Sequence, residues 1–374
     1  MVSVFPTVLY SCMMGMVILA SLDVFTRSNE RQNLFLKGIL LLLMLHLVGE
    51  LYISSAVYVY APGIAGLELP FKVLLGPALY FYAHATMSPE AEIDKRVKLL
   101  SFSGPLVVII VMLPFILLIS PAEKLALASP ETRDPKLWKI AVMTCLSTTA
   151  IFIFYTLLFL GMALKLHNSH LEQLMERFSD IENKSLGWFR GVLFLWGGAW
   201  LLYAAEFSLG ALGVRWFGTG IVLPLFTAFA LAVFIKRALN QKVLKACDKG
   251  EPKEVKPRTA LLSDEKMQAI STKLELAMKE ERLFLQDDLS LNKLSEAITE
   301  SENHISETLS QHMHTNFFSF VNTYRIEHAK DLLLNSDMLV TSIAYEVGFK
   351  SKSTFNSAFK KLVGETPTAY KTSH

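Results

Sequence analysis

Two sets of side chains in this sequence are placed for recognition chemistry, and none is placed for catalysis. Asn303, Ser306, Glu307 and Ser310 recur opposite Ile305, Leu309 and Met313, apolar positions at i, i+4 and i+8 that bury one face of a helix. Lys352, Ser353, Asn356 and Lys360 stand in the same relation to Phe355, Phe359 and Leu362. Amide, hydroxyl, carboxylate and ammonium groups shown along an exposed helical face can meet base edges. Lys360 and Lys361, further along the second stretch, are better placed for phosphate. A third set lies in apolar surroundings. His46 and Glu50 are four residues apart and share one helical face, and Glu206 lies mid-way along another apolar stretch. These three either line a ligand pocket or tie helices together by hydrogen bonds; Lys72 and His84 lie nearer the ends of their segment. There is no nucleophile elbow, phosphate loop or metal-ligand cluster. Cys12, Cys145 and Cys247 have neither CxxC nor metal-ligand spacing. The chain therefore reads as no enzyme, and it asks for no cofactor or metal.

The elements that must position the first two sets form tandem helix-turn-helix units between Leu289 and Tyr370. In the first unit Leu291, Leu294 and Ile298 mark one helix. A polar break follows at Thr299-Glu300-Ser301, where Ser301 is the natural N-cap of the next helix. In the second unit Ile343, Ala344 and Val347 mark a short helix ended by Gly348, and Ser351 caps its successor. Between the units Phe317, Phe320, Val321, Tyr324, Ala329 and Leu333 trace an apolar stripe. A helix from Phe317 to Leu334 is roughly 27 Å long at 1.5 Å per residue. That approaches the ~34 Å that separates successive major-groove faces of B-DNA. A strut of this length lets two recognition helices enter adjacent major grooves of double-stranded DNA.

The run Ser342-Ile343-Ala344-Tyr345-Glu346-Val347-Gly348-Phe349, then Ser351-Lys352-Ser353-Thr354-Phe355, Phe359-Lys360-Lys361 and Gly364-Glu365-Thr366-Pro367-Thr368-Ala369-Tyr370 resembles the signature of AraC-type transcription regulators. The resemblance covers about Leu289 to Tyr370. It implies that the second helix of each unit reads DNA. The reading positions fall on Asn303, Ser306 and Glu307 in the first unit and on Lys352, Ser353 and Ser357 in the second. Phe349, Phe355, Phe359 and Pro367 read as core or turn residues. One departure concerns charge. From Ser263 to Val340 there are fourteen Asp and Glu against seven Lys and Arg, and from Thr341 to His374 two acids face five bases. Because phosphate neutralisation supplies much of the affinity for DNA, the second unit is the better reader.

Upstream the composition changes. Of the 374 residues 52% are hydrophobic and the net charge is +2, too apolar for an ordinary soluble chain. The apolar residues gather in seven segments of membrane-crossing length: Val2–Leu22, Gly38–Ala61, Leu69–Thr86, Ser101–Ser120, Trp138–Leu164, Trp188–Leu212 and Trp216–Ile235. The first lacks the basic n-region of a signal peptide, and Gly76-Pro77 interrupts the third. With the N-terminus outside, the internal segments carry fifteen basic residues. These are Arg27, Arg31 and Lys37; Lys95, Arg96 and Lys98; Lys165, Arg177, Lys184 and Arg190; and Lys236, Arg237, Lys242, Lys245 and Lys249. The external loops carry four, Lys124, Arg133, Lys136 and Arg215. This asymmetry orients the bundle and delivers the C-terminal end to the cytoplasm. Gly76-Pro77 with Tyr80 is also similar to the membrane-embedded subgroup of the AraC family.

The sequence thus predicts an all-α chain: a seven-transmembrane-helix bundle (1–236), a polar linker (237–263) and a cytoplasmic AraC-type domain with two helix-turn-helix units (264–374). An amphipathic helix with Met267, Ile270, Leu274, Leu276 and Met278 opens that domain and packs on its first unit. The expected protein is a multi-pass bacterial inner-membrane regulator of transcription that couples a membrane or extracytoplasmic signal to a promoter. Its expected partners are double-stranded DNA and the lipid bilayer; a small-molecule or membrane-derived ligand and a second copy of the chain also fit. The alternative is a transporter-like protein whose substrate occupancy is reported through the DNA-binding domain.

Overall fold

The computed structural model describes residues 3–88, 91–181, 185–211, 220–241 and 262–373. Their regular structure is helical, with an isolated antiparallel bridge between Phe178 and Ser290. The chain divides into two compact units: Met1–His167 with Trp188–Val243, and Asn168–Gly187 with Leu244–His374.

In the first unit the predicted apolar segments are helical. Helices α1 (Val4–Thr26) and α2 (Arg31–Ser54) pack together, and α2 also meets the later α4. The third segment is interrupted, as α3 (Leu69–Lys72) and α4 (Leu75–Met87), with 3₁₀ turns at Val57–Val59 and Pro62–Ile64 before it. The break falls at Val73-Leu74 rather than at Gly76-Pro77. Pro77 is the third residue of α4, where its missing N–H would have had no intrahelical acceptor. Helix α5 (Lys95–Leu117) starts six residues before its predicted segment because Asp94 caps it, accepting from Arg96 N at 2.9 Å. A short α6 (Pro121–Ala126) carries a capping box of Ser120 and Glu123. Helix α7 (Pro135–Arg177) is 43 residues long, well beyond its apolar stretch. Then come α8 (Gly187–Ala211) and α9 (Val222–Asn240), the latter packed on α1.

Among the described residues six stretches are long and apolar enough to cross a membrane: α1, α2, Pro62–Met87, α5, α7 and α9. Helix α8, 25 residues long, occupies the sixth predicted segment. The start of the seventh predicted segment, at Trp216, lies outside the described residues, as do Lys184, Arg215 and most of the predicted linker.

The second unit contains two hydrophobic cores that share one helix. Helix α10 (Asp264–Lys279) is capped by Ser263 and leads into a 3₁₀ turn at Leu283–Leu285. Helices α11 (Leu291–Ile298) and α12 (Glu302–Glu307) form the first helix-turn-helix. Helix α13 (Phe317–Asn335) follows, and then α14 (Val340–Glu346), α15 (Lys352–Val363) and α16 (Pro367–Ser373). The first core joins Ile270, Leu274 and Met278 to Leu291, Leu294, Ile305 and Leu309, with Phe317, Phe320 and Val321 from α13. The second gathers Ile326, Ala329 and Leu333 of α13 with Ile343, Val347, Phe349, Phe355 and Phe359. Two expected core residues are corrected. Leu276 is 56% exposed and Leu362 46% exposed, because each lies at the edge of its helix's apolar stripe.

Candidate nucleic-acid interface

The second unit presents its polar face as the sequence predicts. Ser351 Oγ accepts from Thr354 N at 3.1 Å, which satisfies an orphan donor of the first turn and fixes where α15 begins. Phe355 and Phe359 are fully buried. That turns Lys352, Ser353, Ser357, Lys360 and Lys361 outward, all exposed, while Asn356 is half-buried with its Oδ1 covered. Gly348 makes the sharp turn between α14 and α15. Its φ is +90°, and a Cβ there would lie 2.8 Å from the carbonyl oxygens of Phe284 and Leu285. Both the conformation and the close approach require glycine.

The first unit departs from expectation. Ser301 caps α12, accepting from His304 N at 3.2 Å, but the helix is not α-helical as far as Met313. From Thr308 to His312 it is a π-turn, closed by Met313 N donating to Thr308 O at 3.0 Å. The extra residue shifts the register, so neighbouring Thr308 and Leu309 both face the core. The α-helical reading face is therefore six residues long. Asn303 is exposed on it, and Ser306 and Glu307 are half-buried. Glu307 Oε1 accepts from Leu262 N at 3.2 Å, so this carboxylate is drawn towards the start of α10. Glu300 is drawn inwards in a similar way. Lys273 Nζ donates to it at 2.7 Å and holds its carboxyl below the ordinary glutamate range.

Helix α13 sets the two faces apart. Nineteen residues make a strut of about 28 Å. At the point where it passes from one core to the other stands Arg325, fully buried. Its Nε donates to Phe284 O at 2.8 Å and its Nη2 to Gln286 O at 2.7 Å. The guanidinium also lies 5.4 Å from the centre of the Phe349 ring. Burial lowers its pKa to about 10, so at neutral pH it remains a buried cation held by carbonyl dipoles. Three further contacts involve Ser179, two residues past the end of α7. Ser179 Oγ accepts from Arg325 Nη2 at 3.3 Å and donates to Leu289 O at 2.7 Å, and Asn322 Nδ2 donates to Ser179 O at 3.4 Å. Arg325 is not among the residues that the sequence motifs single out. Its signal is register, since it lies four residues from Val321 and four from Ala329, both core positions.

The polar groups of the N-terminal compact unit, Met1–His167 with Trp188–Val243, are partly brought together. His46 Nδ1 lies 3.8 Å from Glu50 Oε1, as the shared face predicts. The group that completes the set is Lys72, expected near a segment end and found buried. Its Nζ is 3.6 Å from Glu50 Oε1 and 3.9 Å from the centre of the Tyr203 ring. Glu206 accepts instead from Gly220 N at 3.1 Å. An apolar cavity beside the cluster is lined by His46, Met13, Leu43, Trp196, Trp200 and Thr227; neither Glu50 nor Glu206 lines it. Groups able to hold a metal ion are absent among the described residues.

The profile of a helix-turn-helix domain family matches residues 294–373. An uncharacterized HTH-type transcriptional regulator of Staphylococcus aureus is 35% identical over 120 residues, which is 32% of this chain and 15% of that protein. The uncharacterized HTH-type transcriptional regulator YtdP of Bacillus subtilis (strain 168) is 31% identical over 86 residues, 23% of this chain and 11% of that one. The chain thus spans a small part of the length of these curated relatives. Among solved structures, the C-terminal domain of AraT, a response regulator from Geobacillus stearothermophilus, is 27% identical. That match covers 31% of this chain and 89% of the other, with a TM-score of 0.25. The matched profile, the two units on their shared strut and the motif from Ser342 to Tyr370 identify residues 294–373 as an AraC-type helix-turn-helix domain, a DNA-binding domain of transcription regulators.

Proposed function

We propose that this chain is a membrane-anchored, sequence-specific regulator of transcription, in which the bundle formed by α1 to α9 passes a membrane or extracytoplasmic signal to the helix-turn-helix domain. The observation that carries the reading is the union of two features in one chain. One is an exposed, serine-capped face of Lys352, Ser353, Ser357 and Lys360 on α15. The other is a set of upstream helices long and apolar enough to cross a bilayer. The relatives' description as transcriptional regulators supports it. The second helix of each unit reads base edges, α15 more strongly than α12, whose Glu307 is turned to the chain's own backbone. In the bundle Lys72, Glu50 and His46 partner one another. This favours a sensing or anchoring cluster over a transporter's continuous polar path.

The deciding experiment is genome-wide mapping of DNA crosslinked to the full-length protein in its own membrane. Discrete sites sharing a sequence, lost on Lys352→Ala, are expected. An absence of enriched sites would end the reading.

A further inference from the structure

We propose that the tail of α7, residues 168–181, is a strap that docks on the surface made by Leu289, Asn322 and Arg325, and that the docked strap holds the helix-turn-helix domain in its DNA-binding form. The inference rests on the membrane-regulator reading above, and it goes further by naming the segment through which α7 acts. The strap lies outside the residues that the family profile matches, yet it belongs to the same compact unit as the domain.

Four contacts converge on one buried residue of the strap. Ser179, 1% exposed, donates through Oγ to Leu289 O at 2.7 Å and through N to the same oxygen at 3.4 Å. Arg325 Nη2 reaches its Oγ at 3.3 Å, and Asn322 reaches its carbonyl at 3.4 Å. Beside it Phe178 pairs with Ser290, the N-cap of α11, as an antiparallel bridge. The strap therefore touches the N-cap of the first helix of the first helix-turn-helix and the strut that both share.

Its anchor point is also the most consequential one in the domain. Arg325 stands between the two cores, bound to the 284–286 turn, and its guanidinium meets Phe349 beside the Gly348 turn of the second unit. Whatever fixes Arg325 fixes the two reading helices relative to each other, and two-groove binding depends on that spacing. The strap's hydrogen bonds to Arg325 and Asn322 are long, whereas Arg325's bonds to Phe284 and Gln286 are short. Releasing the strap loosens the hub without dismantling it, as a two-state element requires. Helix α7 runs from Pro135 to Arg177, so the first turns of the strap belong to the same helix as its apolar part.

The test uses the full-length protein in membranes, with Cys12, Cys145 and Cys247 replaced by serine. In that background Phe178→Cys with Ser290→Cys should form an intramolecular disulfide on mild oxidation, since directly paired bridge residues fall within disulfide reach. DNA occupancy at the sites mapped for the wild type should persist in the locked form. Ser179→Trp, for which the buried site has no room, should expose the strap to protease and lower occupancy about tenfold by shifting the population to the undocked state. Ser179→Ala, a change too small to unfold the domain, should lower it by about twofold to threefold. Failure of the cysteines to pair, or unchanged occupancy in both Ser179 variants, overturns the strap. A wild-type protein that occupies no DNA, with the cysteines still pairing, overturns the regulator reading instead, and the strap's role in DNA binding with it.

Discussion

At the scale of single residues, the most exacting position is Gly348. A side chain there meets two carbonyl oxygens at 2.8 Å and must also hold φ at +90°. Gly348→Ala should therefore destabilise the domain by about 2–4 kcal/mol, the sum of a left-handed backbone penalty and a clash that backbone atoms cannot relieve. Pulse proteolysis of the full-length protein would read this as earlier loss of the C-terminal unit, and an unchanged midpoint would refute the account. Gly348 was legible in the sequence, as were the caps Ser301 and Ser351, because turn and cap chemistry is local. Arg325 and Lys72 were not. A charged side chain is placed at the surface by default, and what buries Arg325 is a pair of carbonyls 39 and 41 residues away in sequence. Glu307 was visible as a carboxylate on a reading face, but its capture by the Leu262 amide depends on the return of a segment 45 residues distant.

At the scale of elements, α15 is a whole, capped helix, whereas α12 gives way to a π-turn after six residues. Sequence periodicity cannot show such a turn, because it is a one-residue shift chosen by the core that receives Thr308 and Leu309. The consequence is an unequal pair of readers. On α15 Lys352 is the first residue, where side chains meet base edges, while Lys360 and Lys361 lie in the last turn. Lys352→Ala should cost about 1–3 kcal/mol at the cognate site and relax specificity there. Lys360→Ala or Lys361→Ala should instead weaken all sequences alike and lower the salt slope by roughly 0.9 for each phosphate left without its lysine. Gel-shift titrations of the full-length protein over a salt series separate the two cases. Equal losses on cognate and random DNA for Lys352→Ala would remove it from base reading. The extension of α7 past its apolar stretch was not legible either. Residues 165–177 are mostly polar and carry no apolar run that would mark them as part of the spanning helix, yet α7 continues through them.

At the scale of the whole molecule, we propose seven crossings, argued from charge and from connectivity together. The positive-inside count, fifteen basic residues against four, puts the end of α7 and the C-terminal domain on the same side. An independent argument supports this. The tail of α7 and residues Leu244–His374 belong to one compact unit; if the helices between them span a bilayer, they should do so an even number of times. Helix α9 is long and apolar enough to cross. On this reading α8 must cross with it, although it carries Arg190 and Glu206, and the bundle then has seven spans. A DNA-binding domain is useful in the cytoplasm, and that is the side we propose for it. A reporter active only in the cytoplasm should be active when fused after Lys245 and inactive when fused at Ala65 or after Gly220. Activity after Gly220 would mean that α8 does not cross, and the shared unit would then place α9 outside the bilayer as well. A full reversal of the pattern would put the helix-turn-helix domain on the side of the membrane that has no DNA.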